Sequence, residues 1–309
     1  MPKVLISGAG GQLASTLATR LVQLPTFEVY PYNRQAWDVT DQQTSTEIFD
    51  YVQPDVYFNG SAIHNEEWVL KDVGRAFDVN VVSQNHILDL CNKHKTKFVN
   101  ISTNYIYGGD ESDNKLNLPP SIPSPFTVYG VSKLSFELIL KMRCNDWINF
   151  RVSGVFGQNG SCQKNGLNFP FQVLNHLLSN DPMYVNDTDI TNISYTEDIV
   201  SSILLNNFFE KSAVKNCHRN LINEGVVTWY EVATYIARLF NKQNLIYPVK
   251  KDNRRNTSLS LSLQIPCWKD AISRFIINDV TKIGKYKKLF GYNSQINQTK
   301  WYEFEREDE

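Results

Sequence analysis

The sequence predicts an α/β protein with a Rossmann-type, doubly wound parallel sheet and a smaller C-terminal α/β lobe. Three observations predict this fold class. Strand-like and helix-like segments alternate through the first half, as in a parallel sheet with crossover helices. A glycine cluster at Gly8–Gly11 follows the first strand-like run. The 309 residues exceed one ordinary domain, and a hydrophobic fraction of 42% is enough for a full core.

Five strands and four helices are expected in order along the first half. The strands are short runs of largely apolar residues: Lys3–Ser7, Phe27–Tyr32, Val56–Asn59, Phe98–Ser102 and Trp147–Val152. Pro31 has to lie near the end of its strand, because proline donates no hydrogen bond to a neighbouring strand. The helices are the longer segments between them: Gln12–Leu24, Asp41–Gln53, Val73–Lys93 and one that Tyr129 opens.

The second half is less regular. The alternation loosens after about Phe156, and Gly, Asn and Ser crowd residues 157–168, so the chain is expected to leave the sheet there. The segment Thr228–Glu231 has the spacing of a capping box and predicts a helix that runs to about Phe240. The acidic end, residues 303–309, is expected to be a solvated tail.

Composition and charge argue against several classes of protein. A net charge of −1 and a pI near 6.5 lack the basic footprint of a nucleic-acid binder. No apolar run approaches the roughly 18 residues that cross a bilayer, and the N-terminus has no signal-peptide pattern. The five cysteines lie far apart without Cys-x-x-Cys, and the five histidines show no metal-ligand spacing. We therefore expect a cytoplasmic protein without disulfides, metal, membrane or nucleic-acid partners.

The segment Tyr129-Gly130-Val131-Ser132-Lys133 places a phenol and an ammonium group four residues apart. If it opens a helix, both side chains share one face. A nearby cation favours the phenolate, so Lys133 is expected to lower the pKa of Tyr129 from about 10 toward working pH. Such a tyrosine can exchange a proton with a carbonyl oxygen while a hydride moves at the carbon. The preceding loop, about Gly108 to Pro125, is long enough to indicate a functional or mobile segment.

A glycine-rich turn joins the first strand to the first helix, with the spacing Gly8-x-x-Gly11-x-x-Ala14. Glycines let the backbone approach a pyrophosphate, whose charge is favoured at a helix N-terminus. In this strand–turn–helix context the pattern predicts dinucleotide binding rather than a plain tight turn. The residues expected to bind are Gly8, Gly10, Gly11, Gln12 and Leu13.

The end of the second strand bears on which dinucleotide is bound. An acid usually stands there to hold the adenosine ribose, but this chain reads Asn33-Arg34, with no acid until Asp38. A guanidinium at that place suits a 2′-phosphate, which favours NADPH, with NADH as the alternative. An ordinary surface role for Arg34 stays open.

Taken together, these parts resemble the dTDP-4-dehydrorhamnose reductase family of the extended short-chain dehydrogenase/reductase superfamily. The resemblance is close over Lys3–Phe156 and loose over the remainder. Its carriers are Gly8-Ala9-Gly10-Gly11-Gln12-Leu13, Asp38-Val39-Thr40-Asp41, Pro54-Asp55-Val56, Asn59-Gly60-Ser61-Ala62, Val79-Asn80, Ile101-Ser102-Thr103-Asn104-Tyr105 and Val128-Tyr129-Gly130-Val131-Ser132-Lys133-Leu134.

The resemblance implies roles for the matching residues. Thr103 would hydrogen-bond the substrate carbonyl beside Tyr129, and Lys133 would hold the nicotinamide ribose. The residues implied to lie along the rest of the cofactor are Asp38, Val39, Gly60, Ser61 and Ala62.

The sugar pocket departs from the family pattern. Ser102-Thr103-Asn104-Tyr105 has an amide in place of a carboxylate, and Arg151-Val152-Ser153-Gly154 lacks a large aromatic residue. The family's Pro-Tyr/Trp-x-Glu motif is absent from the long loop, and Arg254-Arg255-Asn256 blurs its Arg-Pro motif. The candidate substrate residues of this altered pocket are Thr103, Asn104, Tyr105 and Gly154.

The activity implied is NADPH-dependent reduction of the C4 ketone of a nucleotide-linked 4-keto-6-deoxysugar, a step of deoxysugar biosynthesis. Two alternatives stay open: an NAD-retaining sugar-nucleotide epimerase and a non-catalytic dinucleotide-binding regulatory subunit. A 4,6-dehydratase is disfavoured because Asn104-Tyr105 offers no acid pair. The expected partner is a nucleotide-sugar substrate, and a homodimer is one expected assembly.

Two units are expected from the place where the alternation ends. The NADP-binding domain would hold residues 1–156 and a returning segment near 184–205. The substrate-binding lobe would hold residues 157–183 and 206–309 and close over the sugar from the carboxyl edge of the sheet.

Overall fold

The computed structural model describes residues 1–110, 121–159, 166–210 and 214–290. Six parallel strands form the central sheet in the order β2-β1-β3-β4-β5-β9. They are β1 Lys3–Ser7, β2 Glu28–Tyr32, β3 Val56–Asn59, β4 Lys97–Thr103, β5 Trp147–Val152 and β9 Cys217–Asn220. The α-helices in the described chain are α1 Gln12–Val22, α2 Gln42–Val52, α3 Glu66–Lys71, α4 Val73–Phe77, α5 Ser83–His94, α6 Val128–Arg143, α7 Phe169–Ser179, α8 Thr196–Leu205, α9 Trp229–Arg238 and α10 Trp268–Asn278.

Alternate residues of β1 pack into two hydrophobic cores, one on each face of the sheet. Val4 and Ile6 pack with Leu17 of α1 on one face. Leu5 packs with Phe49 of α2 on the other face. Because helices cover both faces, the inner strands are apolar on both sides. This arrangement confirms the predicted Rossmann-type α/β class.

The strand order reverses at β1, which lies between β2 and β3. The chain passes from β1 to β2 on one side and then crosses to β3 on the other. The turns that follow β1 and β3 therefore part at the carboxyl edge and leave a crevice. Open α/β sheets bind their ligands at such a switch point.

A buried row of polar side chains crosses the sheet at one register level. Asn59 donates to Asn100 (3.0 Å), and Asn100 donates to Asn149 (2.6 Å). Nδ2 of Asn149 lies 2.9 Å from Nδ1 of His218 on β9. The carbonyl oxygen of the Asn59 side chain also accepts from the Ser61 backbone at 3.2 Å, so the row ties the sheet edge to the turn after β3.

A further core lies beyond the sheet and forms the lobe. It is built from α7, α9, α10 and the short parallel pair β7 (Met183–Asn186) and β10 (Ile246–Val249). A second pair, β6 (Val155–Phe156) and β8 (Ser194–Tyr195), continues from the end of β5 into this core. Arg274 of α10 donates to both carboxylate oxygens of Asp198 on α8, at 2.7 and 2.8 Å, and fastens the lobe to the helix layer.

Three sequence-based predictions differ from the structure, two about the division into units and one about a helix. β9, which the expected lobe contained, completes the sheet. β7, which was expected to start a return to the sheet, pairs with β10 in the lobe, although α8 does return and packs against α1. The helix expected at 73–93 is α4, a π-helical turn at Asp78–Val82 and α5. Residues 111–120 of the long loop, residues 160–165 of the Gly/Asn/Ser-rich segment and the acidic tail lie outside the described residues. None of the described helices is long and apolar enough to cross a membrane.

Candidate active site at the carboxyl edge of the sheet

Two adjoining cavities open at the carboxyl edge of the sheet. The glycine-turn cavity, about 360 Å³, is lined by the segments that follow β1, β2 and β3. The Tyr129 cavity, about 270 Å³, runs from the start of α1 to α6 and the lobe. Gly60, Ser61 and Ala62 line both cavities. The two therefore form one groove across the switch point.

All but one of the predicted site residues line this groove. In the glycine-turn cavity lie Gly8, Gly10, Gly11, Gln12, Arg34, Asp38, Val39, Gly60, Ser61 and Ala62. In the Tyr129 cavity lie Leu13, Thr103, Asn104, Tyr105, Tyr129, Lys133 and Gly154. Asn33 is in neither lining: its side chain accepts from the backbone N–H groups of Gln35 and Ala36, both at 3.0 Å, and holds the turn after β2.

Close backbone contact between two turns shapes the glycine-turn cavity. Gly8 has φ +65°, and an added Cβ would lie 2.5 Å from the carbonyl oxygen of Gly60. A Cβ on Gly60 would lie 2.7 Å from Cβ of Ala14, so alanine fits in the motif because Gly60 has no side chain. Gly11 precedes α1 without a side-chain cap, which leaves the first N–H groups of the helix available to an anion.

Arg34 and Asp38 both line this cavity but differ in their partners. The Asp38 carboxylate accepts from Arg75 at 2.6 Å and from the Thr40 hydroxyl at 2.7 Å. Partial burial alone would raise the pKa of Asp38, but the hydrogen bonds from Thr40 and the charge of Arg75 outweigh it and lower that pKa. Arg34 is exposed and makes no ion pair within the described residues. Its guanidinium can therefore meet a phosphate.

The sequence prediction that Tyr129 opens a helix is confirmed. Thr127 caps α6, its hydroxyl oxygen accepting from the Gly130 N–H at 3.0 Å. Gly130 is needed there because an added Cβ would overlap the carbonyl oxygen of Tyr105. The Tyr129 and Tyr105 rings meet edge to face at 6.2 Å. Lys133 follows one turn later and lines the same cavity.

The expected lowering of the Tyr129 pKa is wrong in this structure. Burial raises the pKa of the phenol, and a hydrogen bond with Thr103 offsets only part of that effect. Burial also lowers the pKa of Lys133 to about 8, against the opposing charge of Glu137. Withdrawal from water is therefore the larger effect on both groups. A phenol with a raised pKa stays protonated at neutral pH, which suits Tyr129 to donate a proton.

Lys133 contributes a buried charge to the groove. Its side chain is 2% exposed. It makes no hydrogen bond to any residue in the described part of the chain, and its pKa is affected by Glu137 only through charge. A buried ammonium without a protein partner that lines a cavity can bond to ligand hydroxyls there.

Thr103 ends β4 and Asn104 follows it, and both line the Tyr129 cavity. The Thr103 hydroxyl accepts from the Tyr105 backbone at 3.2 Å. The Asn104 amide donates to the hydroxyls of Thr257 (2.9 Å) and Thr191 (3.2 Å) and to the Thr257 carbonyl oxygen (3.2 Å). A carboxylate could not donate to that carbonyl oxygen. The amide that departs from the family pattern therefore fastens two lobe segments to the end of β4.

Sequence reasoning missed several residues of the Tyr129 cavity, which are His64, Leu167, Asn168, Phe169, Thr191 and Trp229. Asn168 caps α7 through the Phe171 N–H (3.1 Å) and donates to Gln12 at 3.3 Å, so it links the lobe to the glycine turn. Asparagine before an apolar helix is a capping signal that could have placed it. Within the described residues no group of three His, Cys, Asp or Glu side chains could hold a metal ion.

Several known proteins are similar to this chain in sequence or in fold. A family model described as the RmlD substrate binding domain matches residues 2–259. The chain is 26% identical over 256 residues to the spore coat polysaccharide biosynthesis protein SpsK of Bacillus subtilis, which covers 83% of this chain and 86% of that protein. It is 28% identical over 238 residues to the dTDP-4-dehydrorhamnose reductase of Aggregatibacter actinomycetemcomitans, covering 76% and 78%. The crystal structure of Bacillus anthracis dTDP-4-dehydrorhamnose reductase in complex with NADP matches with a TM-score of 0.77 at 22% identity, covering 90% and 99%.

Proposed function

Because the chain belongs to the RmlD substrate binding domain family, we propose that it is a sugar-nucleotide reductase of deoxysugar biosynthesis. It reduces the C4 ketone of a nucleotide-linked 4-keto-6-deoxysugar with NADPH. The observation that carries this proposal is that Tyr129, Thr103 and Lys133 share one cavity, which continues into the glycine-turn cavity. Such a groove can seat a dinucleotide with its reactive ring beside a proton donor.

The residues of the groove fit a dinucleotide. The contact between Gly8 and Gly60 leaves bare backbone at the turn, and the uncapped first turn of α1 suits a pyrophosphate. Arg34 is free to meet a 2′-phosphate, which favours NADPH over NADH. The Lys133 ammonium, which lines the Tyr129 cavity, would bond the hydroxyls of the nicotinamide ribose. When bound, the cofactor supplies the hydride.

Residues of the chain then transfer the proton. Tyr129 donates it to the oxygen that develops charge at C4, and Thr103 gives that oxygen a second hydrogen bond. The raised pKa of Tyr129 keeps the phenol protonated until the oxygen becomes basic. Such a preorganised donor is worth about 3 kcal/mol when it acts on charge formed in the transition state. The phenolate that remains recovers its proton from water.

NADPH oxidation, measured in parallel with dTDP-, UDP- and GDP-linked 4-keto-6-deoxysugars, tests the proposal. The wild type and Tyr184→Phe, a control at an exposed residue of β7, should oxidise NADPH with at least one sugar. Tyr129→Phe should oxidise NADPH at least about 100-fold more slowly. Purified protein that carries tightly bound NAD and interconverts sugars without reductant would instead be an epimerase. NADPH binding without oxidation, together with stable capture of another enzyme, would identify a regulatory subunit.

We also propose a division into two units, a cytoplasmic location and a homodimer. The NADP-binding unit is proposed to comprise the sheet, including β9, with α8, and the substrate lobe to comprise α7, α9, α10, β7 and β10. A cytoplasmic location is proposed with them. A homodimer is proposed because Val131, Leu138 and Met142 are exposed along α6. Light scattering that gives a monomer at micromolar concentration would contradict it.

A further inference from the structure

Tyr105 and Trp229 line two cavities at once. Besides the Tyr129 cavity, they border an outer cavity of about 620 Å³ between α3, the start of α6 and the loop after β10. No other residue in the described ranges lines both of these cavities. Tyr105 and Trp229 therefore mark the place where the two cavities adjoin, which we call the throat.

The Trp229 indole is held in place from several directions. Trp229 is the first residue of α9, and its N-cap, Thr228, completes a capping box and donates to Asp187 at 3.0 Å. The indole meets the Phe169 ring at 4.6 Å between centroids. An added Cβ on Gly154 would lie 3.1 Å from Cη2 of Trp229. The missing side chain at 154 therefore leaves this part of the wall to the indole.

The two sides of the throat differ in chemistry. On the inner side lie the hydroxyls of Tyr129 and Thr103. On the outer side the exposed Arg255 guanidinium lies over the Phe126 ring at 4.4 Å, while Lys251 is paired with Asp189 of the same cavity at 3.0 Å. The Arg255 guanidinium can bond a diphosphate there. A ligand with a keto-sugar at one end and a nucleoside diphosphate at the other would place its hexose ring in the throat.

We propose that Trp229 determines the specificity for the sugar, an inference that rests on the proposed reductase function. Its indole packs against the C–H face of the hexose opposite Tyr105, and the nucleoside diphosphate occupies the outer cavity. The aromatic rings favour apolar ligand surface. The C6 methyl of a 6-deoxyhexose leaves water there without losing a hydrogen bond, whereas a C6 hydroxyl would lose its hydrogen bonds to water.

The test uses Trp229→Ala and a matched control, Trp268→Ala. Trp268 is also the first residue of a lobe helix, but it packs on Tyr235 (5.2 Å) and lines neither cavity. Binding of dTDP-6-deoxyglucose, which keeps the C6 methyl but has no C4 ketone to reduce, is measured by calorimetry with NADPH present. Loss of the aromatic contact should weaken dTDP-6-deoxyglucose binding at least about tenfold in Trp229→Ala, and clearly less in Trp229→Phe. NADPH affinity in both, and all binding in Trp268→Ala, should stay unchanged.

Kinetics with the keto-sugar that the wild type reduces give a second readout. Trp229→Ala should raise KM about tenfold and change kcat little, since the indole contacts the sugar before and during the reaction alike. Unchanged dTDP-6-deoxyglucose affinity in Trp229→Ala, or no dTDP-6-deoxyglucose binding by the wild type, would overturn the inference. If the chain reduces no keto-sugar but the Trp229 variants lose dTDP-6-deoxyglucose binding, the reductase proposal fails and the throat assignment stands.

Discussion

Replacing Lys133 by methionine is expected to stabilise the fold at neutral pH while it weakens NADPH binding. Burial lowers the pKa of this lysine from its ordinary 10.5 to about 8. At about 1.4 kcal/mol per pH unit, that difference sets about 3 kcal/mol against the charged side chain in the folded protein. Methionine has a similar length and no charge, so Lys133→Met removes this cost. Lys133 therefore lowers the stability of the folded protein at the site where the cofactor would bind.

The sign of the pH dependence follows from the same linkage. Above pH 10.5 the lysine is neutral in both the folded and the unfolded chain, and it costs nothing. As the pH falls from 10.5 through 8, the unfolded chain takes up a proton that the folded protein resists, so the wild type loses stability across that window. The advantage of Lys133→Met should therefore be about 3 kcal/mol at pH 7 and only about 1 kcal/mol at pH 10.

Guanidinium unfolding of the wild type, Lys133→Met and Lys141→Met at both pH values measures these differences. Lys141 lies on the same helix but is exposed, so its variant should stay within about 0.5 kcal/mol of the wild type. Fluorescence titration should show weaker NADPH binding for Lys133→Met alone. If Lys133→Met is no more stable than the wild type at pH 7, the lysine is not held at a cost and the reasoning is refuted.

Four further outcomes are expected. Tyr129→Phe should lower kcat about 100-fold or more, from the loss of about 3 kcal/mol, with the NADPH Kd unchanged by titration; equal turnover would remove Tyr129 from the mechanism. Arg34→Ala should weaken NADPH about tenfold and leave NADH unaffected, so an equal loss for both would argue against a 2′-phosphate contact. Gly60→Ala should cost about 1–3 kcal/mol in urea unfolding, because its Cβ would lie 2.6 Å from a backbone oxygen of β1; full stability would contradict that contact. Burial lowers the pKa of His218, so stability should fall as the pH drops from about 6.5 through the folded value, and His218→Asn should flatten that fall; a parallel profile would exclude the histidine.

Local sequence signals predicted most of the sheet. β1 and β5 have the predicted bounds because their apolar runs end at turn-forming residues. β9 was missed because Cys217-His218-Arg219-Asn220 has no apolar alternation and is held by backbone pairing with β5 at the sheet edge. The π-helical turn was also missed. It carries Asn80, whose amide bonds both backbone groups of Ile63, a contact that no local helix pattern indicates.

The site was predictable where neighbours in sequence are neighbours in space. The glycine turn and the start of α6 are of this kind, because each is a strand–turn–helix or helix-cap signal. The pKa of Tyr129 was not, since burial by the rest of the fold raises that pKa and no local sequence signal shows the burial. Trp229 was missed as a cavity residue because its place also depends on the packing of the whole fold. Its helix was predicted from the capping box, but it lies 100 residues from Tyr129 in the sequence and meets that cavity only through the packing of the lobe.

Transfer of deuterium from labelled NADPH tests the central claim most directly. NADPH that carries deuterium at its transferable position is mixed with the protein and a nucleotide-linked 4-keto-6-deoxysugar, and the product is analysed by mass spectrometry and NMR. The groove geometry predicts one deuterium at C4 of the product for the wild type and hardly any product for Tyr129→Phe. A sugar product without the label, or a labelled product formed equally fast by Tyr129→Phe, would contradict the account.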